Sequence, residues 1–532
     1  MKKTRLLALL TAATMLMGTA SSMAEESSHP DTWFSEETVT ISVMRDENPS
    51  QTIDPNSLKV QTVKEILNIQ LDVQTPPKDS YADKKAVLIR TDDMPDIMLL
   101  DTSDVRNYAR DDMFINLSDY RDKLPHLFAL LDSNPSYAML TVDGSYYSAP
   151  TLFRASPHDG ALSGQFPVIR MDLLEKNNLA VPTTFDELYE TLKALKELYP
   201  DCIPLTNRKG GSTTSTRKLL DTMAYSLGSG STMYYDEDLG GKWVYGPANE
   251  NFKAVLTYLN KLYSEGLLDP DYASNTVDQW KEKMSSGKAL MYFDNSGFAS
   301  QFQAALNTED PDAKLSVIPT LTNTLGQTRN YRYDLDHTSQ EWVIASSTEN
   351  LDACLAYLDW CYTDQGADVN GYGKEGVTFE YDENGKPYIK EEILAEIAAT
   401  GSSTAFYDLQ AKYGLGLLDI SPYNDTGAQT QMEMYMMDEE TRANYEASKE
   451  MINSDAGLRV APLEPSLSAE QTERYKELKT KVEDMVYQEI DKYITGEEPI
   501  ENYDKVIEAA RAAGAEEMEQ IYNDAWNAAL GN

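Results

Sequence analysis

The chain has 532 residues, 41% of them apolar, with 46 Lys and Arg against 87 Asp and Glu, a formal net charge of −41. That length and apolar content suit about two to four domains, or one large two-lobed unit, with ample cores. So acidic a surface repels nucleic acid and anionic membrane, which argues against both as partners and leaves a solvated coat as the plain use of the charge.

Lys2, Lys3 and Arg5 precede an apolar run over residues 6–17, and Gly18-Thr-Ala20 and Ser22-Met-Ala24 offer two small-x-small cleavage points. Residues 1–24 are therefore expected to be a secretory signal peptide, too short in its apolar part to span a membrane. Its removal takes away three cations and deepens the net charge to −44. Leu16-Met-Gly18 resembles a lipobox, but Thr19 stands where the lipidated cysteine would be, so a lipid anchor is not expected. Residues 25–37 are polar and read as a loose segment.

Val39, Ile41 and Val43 alternate with polar residues and predict a strand over 38–44. A polar loop, 45–56, leads to a helix through Val63, Ile66 and Leu67 and a strand over 69–73. Pro95-Asp-Ile-Met-Leu-Leu100 is the unbroken apolar run of a buried parallel strand, and it ends in Asp101-Thr-Ser-Asp104. Strand, helix, strand in that order predicts a parallel sheet, with ligands at the carboxyl ends of its strands. The loops 45–48 and 101–104 are thus candidate pocket walls; solvated turns, or a helix cap at Asp101 or Asp104, are the competing reading. Asp143-Gly144 signals a hairpin. Tyr146-Tyr-Ser-Ala-Pro-Thr-Leu-Phe-Arg154, then the turn formers Ser156-Pro-His-Asp-Gly160 and the apolar stretch 166–169, read as a crossover into a second α/β lobe.

In that second part Thr184-Phe-Asp-Glu187 is a capping box opening a helix through Leu188, Leu192 and Leu195. Residues 207–217 form a polar loop of local positive charge. A helix over 251–265 is stopped by Gly266 with Pro270 beyond, and a second helix runs through Trp280 and Met284. Gly287-Lys-Ala-Leu-Met-Tyr-Phe293 reads as a strand ending in Asp294-Asn-Ser-Gly297, and residues 315–319 carry the chain back towards lobe one. Glu341-Trp-Val-Ile344 is a strand, Leu351, Cys354, Leu355, Leu358 and Cys361 have helical spacing, and Asn370-Gly-Tyr-Gly-Lys-Glu-Gly376 reads as a glycine-rich loop. The last hundred residues are mostly helical, with a long amphipathic segment at 469–493, and there is no internal repeat.

Catalytic motifs are absent. Ser286-Gly-Lys288 lacks the upstream glycine of a phosphate loop, no G-x-S-x-G or H-E-x-x-H occurs, and the four histidines have no ligand spacing. Cys354 and Cys361, seven apart on one helix, are separated by a rise of roughly 10 Å, too far for a bridge. With Cys202 they read as buried apolar side chains. Asp236-Glu-Asp238 and Asp382-Glu-Asn-Gly385 leave room for a structural Ca²⁺, but neither has the EF-hand spacing and acidic turns are the plainer reading. A carboxylate pair of the glycosidase kind is neither indicated nor excluded among so many acids.

In order along the chain, Asp143-Gly-Ser-Tyr-Tyr-Ser-Ala-Pro150, Ile169-Arg-Met-Asp-Leu-Leu174, Pro182-Thr-Thr-Phe-Asp-Glu-Leu188, Leu262-Tyr-Ser-Glu-Gly-Leu-Leu-Asp-Pro270, Gly287-Lys-Ala, Tyr372-Gly-Lys-Glu-Gly376 and Tyr493-Ile-Thr-Gly496 form a specific set. With them the chain resembles the extracellular solute-binding proteins of bacterial ABC importers, family 1, LipO-like, the branch that serves carbohydrate uptake in Firmicutes. The resemblance implies a two-lobed α/β fold of the periplasmic-binding-protein type (class II, like maltose-binding protein), with hinge strands and a helical C-terminal region. Lobe one would take 38–150 plus about 319–366, and lobe two 151–318 plus about 370–532.

By motif position the resemblance implies ligand-binding roles for Arg45 and Asn48 after the first strand, Asp101, Thr102 and Ser103 after the buried strand, and Tyr147 and Arg154 at the hinge. Asn207, Asp294, Asn295 and Phe298 follow in the second lobe, and Trp342, Tyr372 and Glu375 flank the third crossing. Each has a plainer alternative: Trp342 as core, Glu375 as a salt-bridge partner of Lys374, Arg154 as a hinge tie. The implied function is a secreted, monomeric carrier at the outer face of the cell membrane, without cofactor, that hands an oligosaccharide to a membrane permease. Competing ligands are an oligopeptide or an anionic uronate oligomer, the latter in view of Arg208, Lys209 and Arg217. A secreted carbohydrate-processing enzyme is the alternative of another class.

Overall fold

The computed structural model describes residues 33–47, 52–154, 165–210, 213–332, 340–400, 411–415, 420–425, 427–460 and 462–531. The expected leader, Asn48 and the turn formers 156–160 lie outside the described residues, as does the side chain of Arg154.

The first lobe is built on β1 (Val39–Met44), β2 (Ile69–Gln74), β3 (Ile97–Asp101) and β4 (Ala149–Pro150). The crossover follows as β5 (Leu152–Arg154) and β6 (Gln165–Arg170). The second lobe adds a hairpin, β7 (Met233–Asp236) and β8 (Lys242–Tyr245), then β9 (Met291–Asn295) and β10 (Leu315–Val317). The chain returns through β11 (Asn330–Arg332) and β12 (Gln340–Ile344), forms the hairpin β13 (Phe379–Tyr381) and β14 (Pro387–Ile389), and ends its strands with β15 (Tyr423–Asp425) and β16 (Leu458–Val460).

The first sheet has the order β2-β1-β3-β12-β4. Period-two burial sets β1: Ile41 and Val43 are sealed in one core cluster while Met44 joins another on the opposite face. The helix Leu58–Leu67 begins where the Ser57 side chain accepts from the Val60 amide and ends at left-handed Asn68, which turns the chain directly into β2. β1 pairs in parallel with β2 and β3, as the strand–helix–strand order predicts. The sheet is nonetheless mixed, because β12 runs antiparallel to both β3 and β4. β12 returns from the other lobe, so it enters the sheet at the end where β3 leaves it.

The second lobe centres on the antiparallel sheet β10-β6-β9. The stretch 203–206 lies parallel beside β9, bridging Ile203 to Ala289 and Thr206 to Tyr292. One large core cluster joins the helices Phe185–Leu198, Ser215–Leu227 and Phe252–Ser264 to the C-terminal helices Ala469–Thr495, Tyr503–Ala513 and Ala515–Ala529. The last helix also satisfies the outer edge of β8: the Trp243 amide donates to Asn523 Oδ1 and the Tyr245 amide to Glu519 Oε1, both at 2.9 Å. The crossings are stitched in parallel pairs, β5 with β15 and β11 with β16.

Two expectations are corrected. Residues 370–372 are not loop but the last turn of the helix Asp364–Tyr372, which stops at Gly373 with φ of 94°. Gly371 permits that helix to press on β15, since a Cβ there would meet the Asp425 carbonyl oxygen at 2.7 Å. The described part of 372–436, expected with lobe two, packs beside lobe one. Lys59 Nζ donates to Ser421 Oγ at 2.6 Å, the Tyr357 hydroxyl to the Ile420 carbonyl at 3.2 Å, and Lys374 pairs with Glu65 at 2.5 Å.

Glu341 of β12 is an ionisable group sealed inside the first sheet. One carboxyl oxygen accepts from the Ser148 hydroxyl, but burial outweighs that bond and pushes the carboxyl above its usual range. A folded-state pKa above the unfolded value of about 4.3 means that this group favours folding at acid pH and loses that advantage as pH rises. Glu341→Gln is expected to remove that slope and to leave stability at pH 7 equal or higher; urea unfolding at pH 4.5 and pH 7 measures it.

Candidate functional site

The strand registers place two sets of polar side chains at the hinge. Asp101, at the end of β3, is opposite Gln340, where β12 enters from the crossing. Asn295 and Asp294, at the end of β9, are opposite Gln165 and Phe166, where β6 enters from the other crossing. In each lobe, therefore, a strand ends beside a segment that has just crossed from the other.

On the first wall the Lys85 ammonium lies between the carboxylates of Asp101 and Asp104. Burial alone would lower the Lys85 pKa, but these two partners outweigh it and raise it. Asp101 is thus a salt-bridge partner, and its side chain does not cap the helix Thr102–Tyr108 that follows. Thr102 is half-buried, Ser103 is exposed, and Tyr147 packs half-buried against the cluster containing Met44 and Met98. Arg45 is sealed behind them, its Nε donating to the Asp46 carbonyl at 2.8 Å. Burial lowers its pKa against the opposing pull of Asp46.

The second wall is denser. Arg208 grips Asp294 with two bonds, Nε to Oδ2 at 2.7 Å and Nη2 to Oδ1 at 3.1 Å. The Arg208 guanidinium lies 5.5 Å from the ring centre of Trp280 and 5.2 Å from that of Phe298, within cation–π reach of both. Those two rings meet edge to face at 5.1 Å. Lys218 approaches the same carboxylate at 3.7 Å and donates to Gln165 Oε1 at 3.2 Å. Burial pushes the Lys218 ammonium down, Asp294 pulls it back up and Arg208 depresses it further. Two cations share one buried carboxylate, and the exposed Lys209 follows Arg208 in the chain.

Of the expected residues, Asp294 and Phe298 belong to this wall directly. Asn207 is buried beside it, its amide nitrogen donating to Ser215 O, Ser215 Oγ and Tyr272 O at 3.0 Å, while its Oδ1 has no partner. Asn295 is exposed and its Oδ1 accepts from the Gly297 amide, holding the turn after β9. Three others lie elsewhere. Trp342 is 1% exposed inside the first lobe's core, so it is packing and not a platform. Tyr372 is equally buried, its hydroxyl 3.3 Å from Asp425 Oδ1. Glu375 is exposed, in the turn that bridges to Phe379. Lys218, Trp280, Gln165 and Lys85 were not singled out in the sequence. The positive loop pointed to Lys218's neighbourhood, but no local pattern marks Trp280, which reads as one more apolar helix position.

The two oxygen-rich stretches have protein donors. Asp236 accepts from Arg329 Nη1 at 3.2 Å and from the Tyr234 hydroxyl at 2.7 Å, and Asp382 Oδ1 accepts from the Asn384 and Lys386 amides. Among the described residues no group of three or more His, Cys, Asp or Glu is arranged to hold a metal ion. The three thiols are buried and free, and burial pushes Cys354 and Cys361 up to about 12, far from reactive thiolates.

Residues 61–368 match the family model described as bacterial extracellular solute-binding protein. The chain is 26% identical over 494 residues, 89% of both chains, to the polygalacturonan/rhamnogalacturonan-binding protein YtcQ of Bacillus subtilis. It is 26% identical over 395 residues, 69% of this chain and 70% of the relative, to the fructooligosaccharide ABC transporter substrate-binding protein FusA of Streptococcus pneumoniae. Among solved structures, the alginate-binding protein AlgQ2 matches at TM-score 0.66 and 20% identity, covering 94% of this chain and 100% of the other, a likeness of fold.

Trp342→Ala is expected to cost about 3–5 kcal/mol of stability, the usual loss for a buried Trp truncated to Ala, and to leave ligand affinity of the folded fraction unchanged. Urea unfolding and calorimetric titration together separate this from a platform role.

Proposed function

Because the chain belongs to the bacterial extracellular solute-binding proteins, we propose that it captures an oligosaccharide between its two lobes and delivers it to the permease of an ABC importer. The observation that carries this reading is the pair of walls at the hinge-side strand ends. A sugar offers hydroxyls and apolar C–H faces, and it needs fixed charged partners beside aromatic surface. Arg208 and Lys218 around Asp294, beside the half-buried ring of Phe298, supply both on one side, with the sealed Trp280 backing Arg208 from the core, and Lys85 with Asp101 and Asp104 supplies polar partners on the other. Ligand touches both walls only when the lobes close, so binding shifts the population towards the closed form, the form a permease would recognise. No bond is broken: Asp101, Asp104 and Asp294 are each tied to a cation rather than poised as an acid and base.

Within that reading an anionic uronate oligomer is favoured over a neutral sugar by the second wall, where Arg208 and Lys218 outnumber Asp294. Of the similar proteins, one is named for binding polygalacturonan and rhamnogalacturonan and another for fructooligosaccharide. A thermal-shift panel of oligogalacturonates and neutral fructo-oligosaccharides tests it. A true ligand at a hundred times its Kd adds about 2.7 kcal/mol of stability. The uronate is expected to shift melting more than the neutral sugar, with an affinity that falls as salt rises. Arg208→Met is expected to weaken uronate binding roughly tenfold, about 1.4 kcal/mol, with a smaller effect on a neutral sugar. Sugar products appearing on incubation would mark an enzyme instead.

A further inference from the structure

The wall residue Arg208 is braced from behind by a network that no ligand contact requires. The helix Val277–Ser285, fixed by its Thr276–Gln279 capping box, carries both Trp280 and Lys283, three apart and so on one face. Trp280 lies under the Arg208 guanidinium. Lys283 points its ammonium into four oxygens: Asp269 Oδ1 at 3.0 Å and Oδ2 at 2.8 Å, Asp271 Oδ2 at 3.0 Å and Asn275 Oδ1 at 2.8 Å. Three N–H donors shared by four oxygens make this a filled cage.

The cage is wired to the loop. Asp269 is fully buried and accepts from the Thr206 hydroxyl at 2.6 Å and from Asn275 Nδ2 at 2.9 Å. Asn275 Nδ2 also donates to the Asn207 carbonyl at 3.1 Å, and the Asn275 carbonyl accepts from the Lys209 amide at 3.0 Å. Asn275 therefore grips the backbone on both sides of Arg208. Asn275 is itself oriented by Lys283, whose bond to Oδ1 fixes which way the amide faces.

We infer that Lys283 is a positioning residue for ligand capture: its caged ammonium orients Asn275, and Asn275 holds residues 207–209 so that Arg208 presents its guanidinium to the ligand. This rests on the proposed function only for the word ligand; the brace itself is independent of it. Lys283→Met removes the cation. Asn275→Ala leaves Lys283 paired with Asp269 and Asp271 and keeps the backbone bond to Lys209, but removes the side-chain bonds to the Asn207 carbonyl and to Asp269, so it serves where the first variant fails to fold.

With oligogalacturonate as the probe, each variant is expected to raise Kd roughly tenfold and to add little in an Arg208→Met background, the non-additivity of residues acting through one another. An unchanged Kd, or a full additional loss in the Arg208→Met background, overturns the inference. Hydrogen exchange over residues 207–210, read by mass spectrometry without any sugar, gives the second readout. Faster exchange in both variants with the rest of the chain protected supports the brace, and unchanged exchange there overturns it. A wild-type protein that binds neither sugar sinks the functional reading, and the exchange result still decides the role of Lys283.

Discussion

Everything at the second wall hangs on the Arg208–Asp294 ion pair. Asp294 is 3% exposed at the end of β9. A carboxylate that deep is stable only with a hydrogen-bonded cation, and the two parallel bonds from Arg208 provide it. Pairing fixes the guanidinium in a plane against Trp280 and Phe298, so one interaction both neutralises a buried charge and sets a rigid polar edge on an aromatic base. Lys218 then adds a second cation to the same carboxylate. A chain with a net charge of −41 thus gathers two cations around one carboxylate at the end of β9.

The mixed topology of the first sheet follows from the same hinge. A strand that returns from the second lobe must enter the first sheet at its hinge-side edge, which is where the parallel strand β3 ends. The antiparallel pairing of β12 with β3 is therefore the signature of a two-lobed chain. It also explains why Asp101 and Asp294, far apart in sequence, both sit beside strands that have just crossed. The C-terminal helices complete the second lobe's core and close the edge of β8.

Much of this was legible in the sequence. The alternation at Val39, Ile41 and Val43, the apolar run ending in Asp101, the helix start at Thr184 and the Asp143-Gly144 turn are all local signals, and each element stands where its pattern put it, though at Thr184 only half of the expected capping box forms, the Glu187 carboxylate accepting from Thr183 instead. The turn at Asp143 and Gly144 carries the two positive φ values, 51° and 82°, that such a dipeptide favours. The wall was harder. Asp294 was reachable because it ends a strand, but Trp280 contributes through a partner 72 positions away, and no spacing within a helix encodes that. Trp342 shows the converse: an aromatic beside a crossing looks like a platform until its strand proves to be sealed between β3 and β4. The three glycines of residues 370–376 suggest a loop throughout, whereas Gly371 serves close packing within a helix.

Closure around a sugar is the central claim, and small-angle X-ray scattering tests it most directly. The radius of gyration is measured without sugar and with saturating oligogalacturonate, binding being verified on the same sample by calorimetry. A capturing pair of lobes gives a smaller radius of gyration and a more compact distance distribution in the bound sample. Verified binding with an unchanged scattering curve would contradict closure and place the sugar on a rigid surface instead.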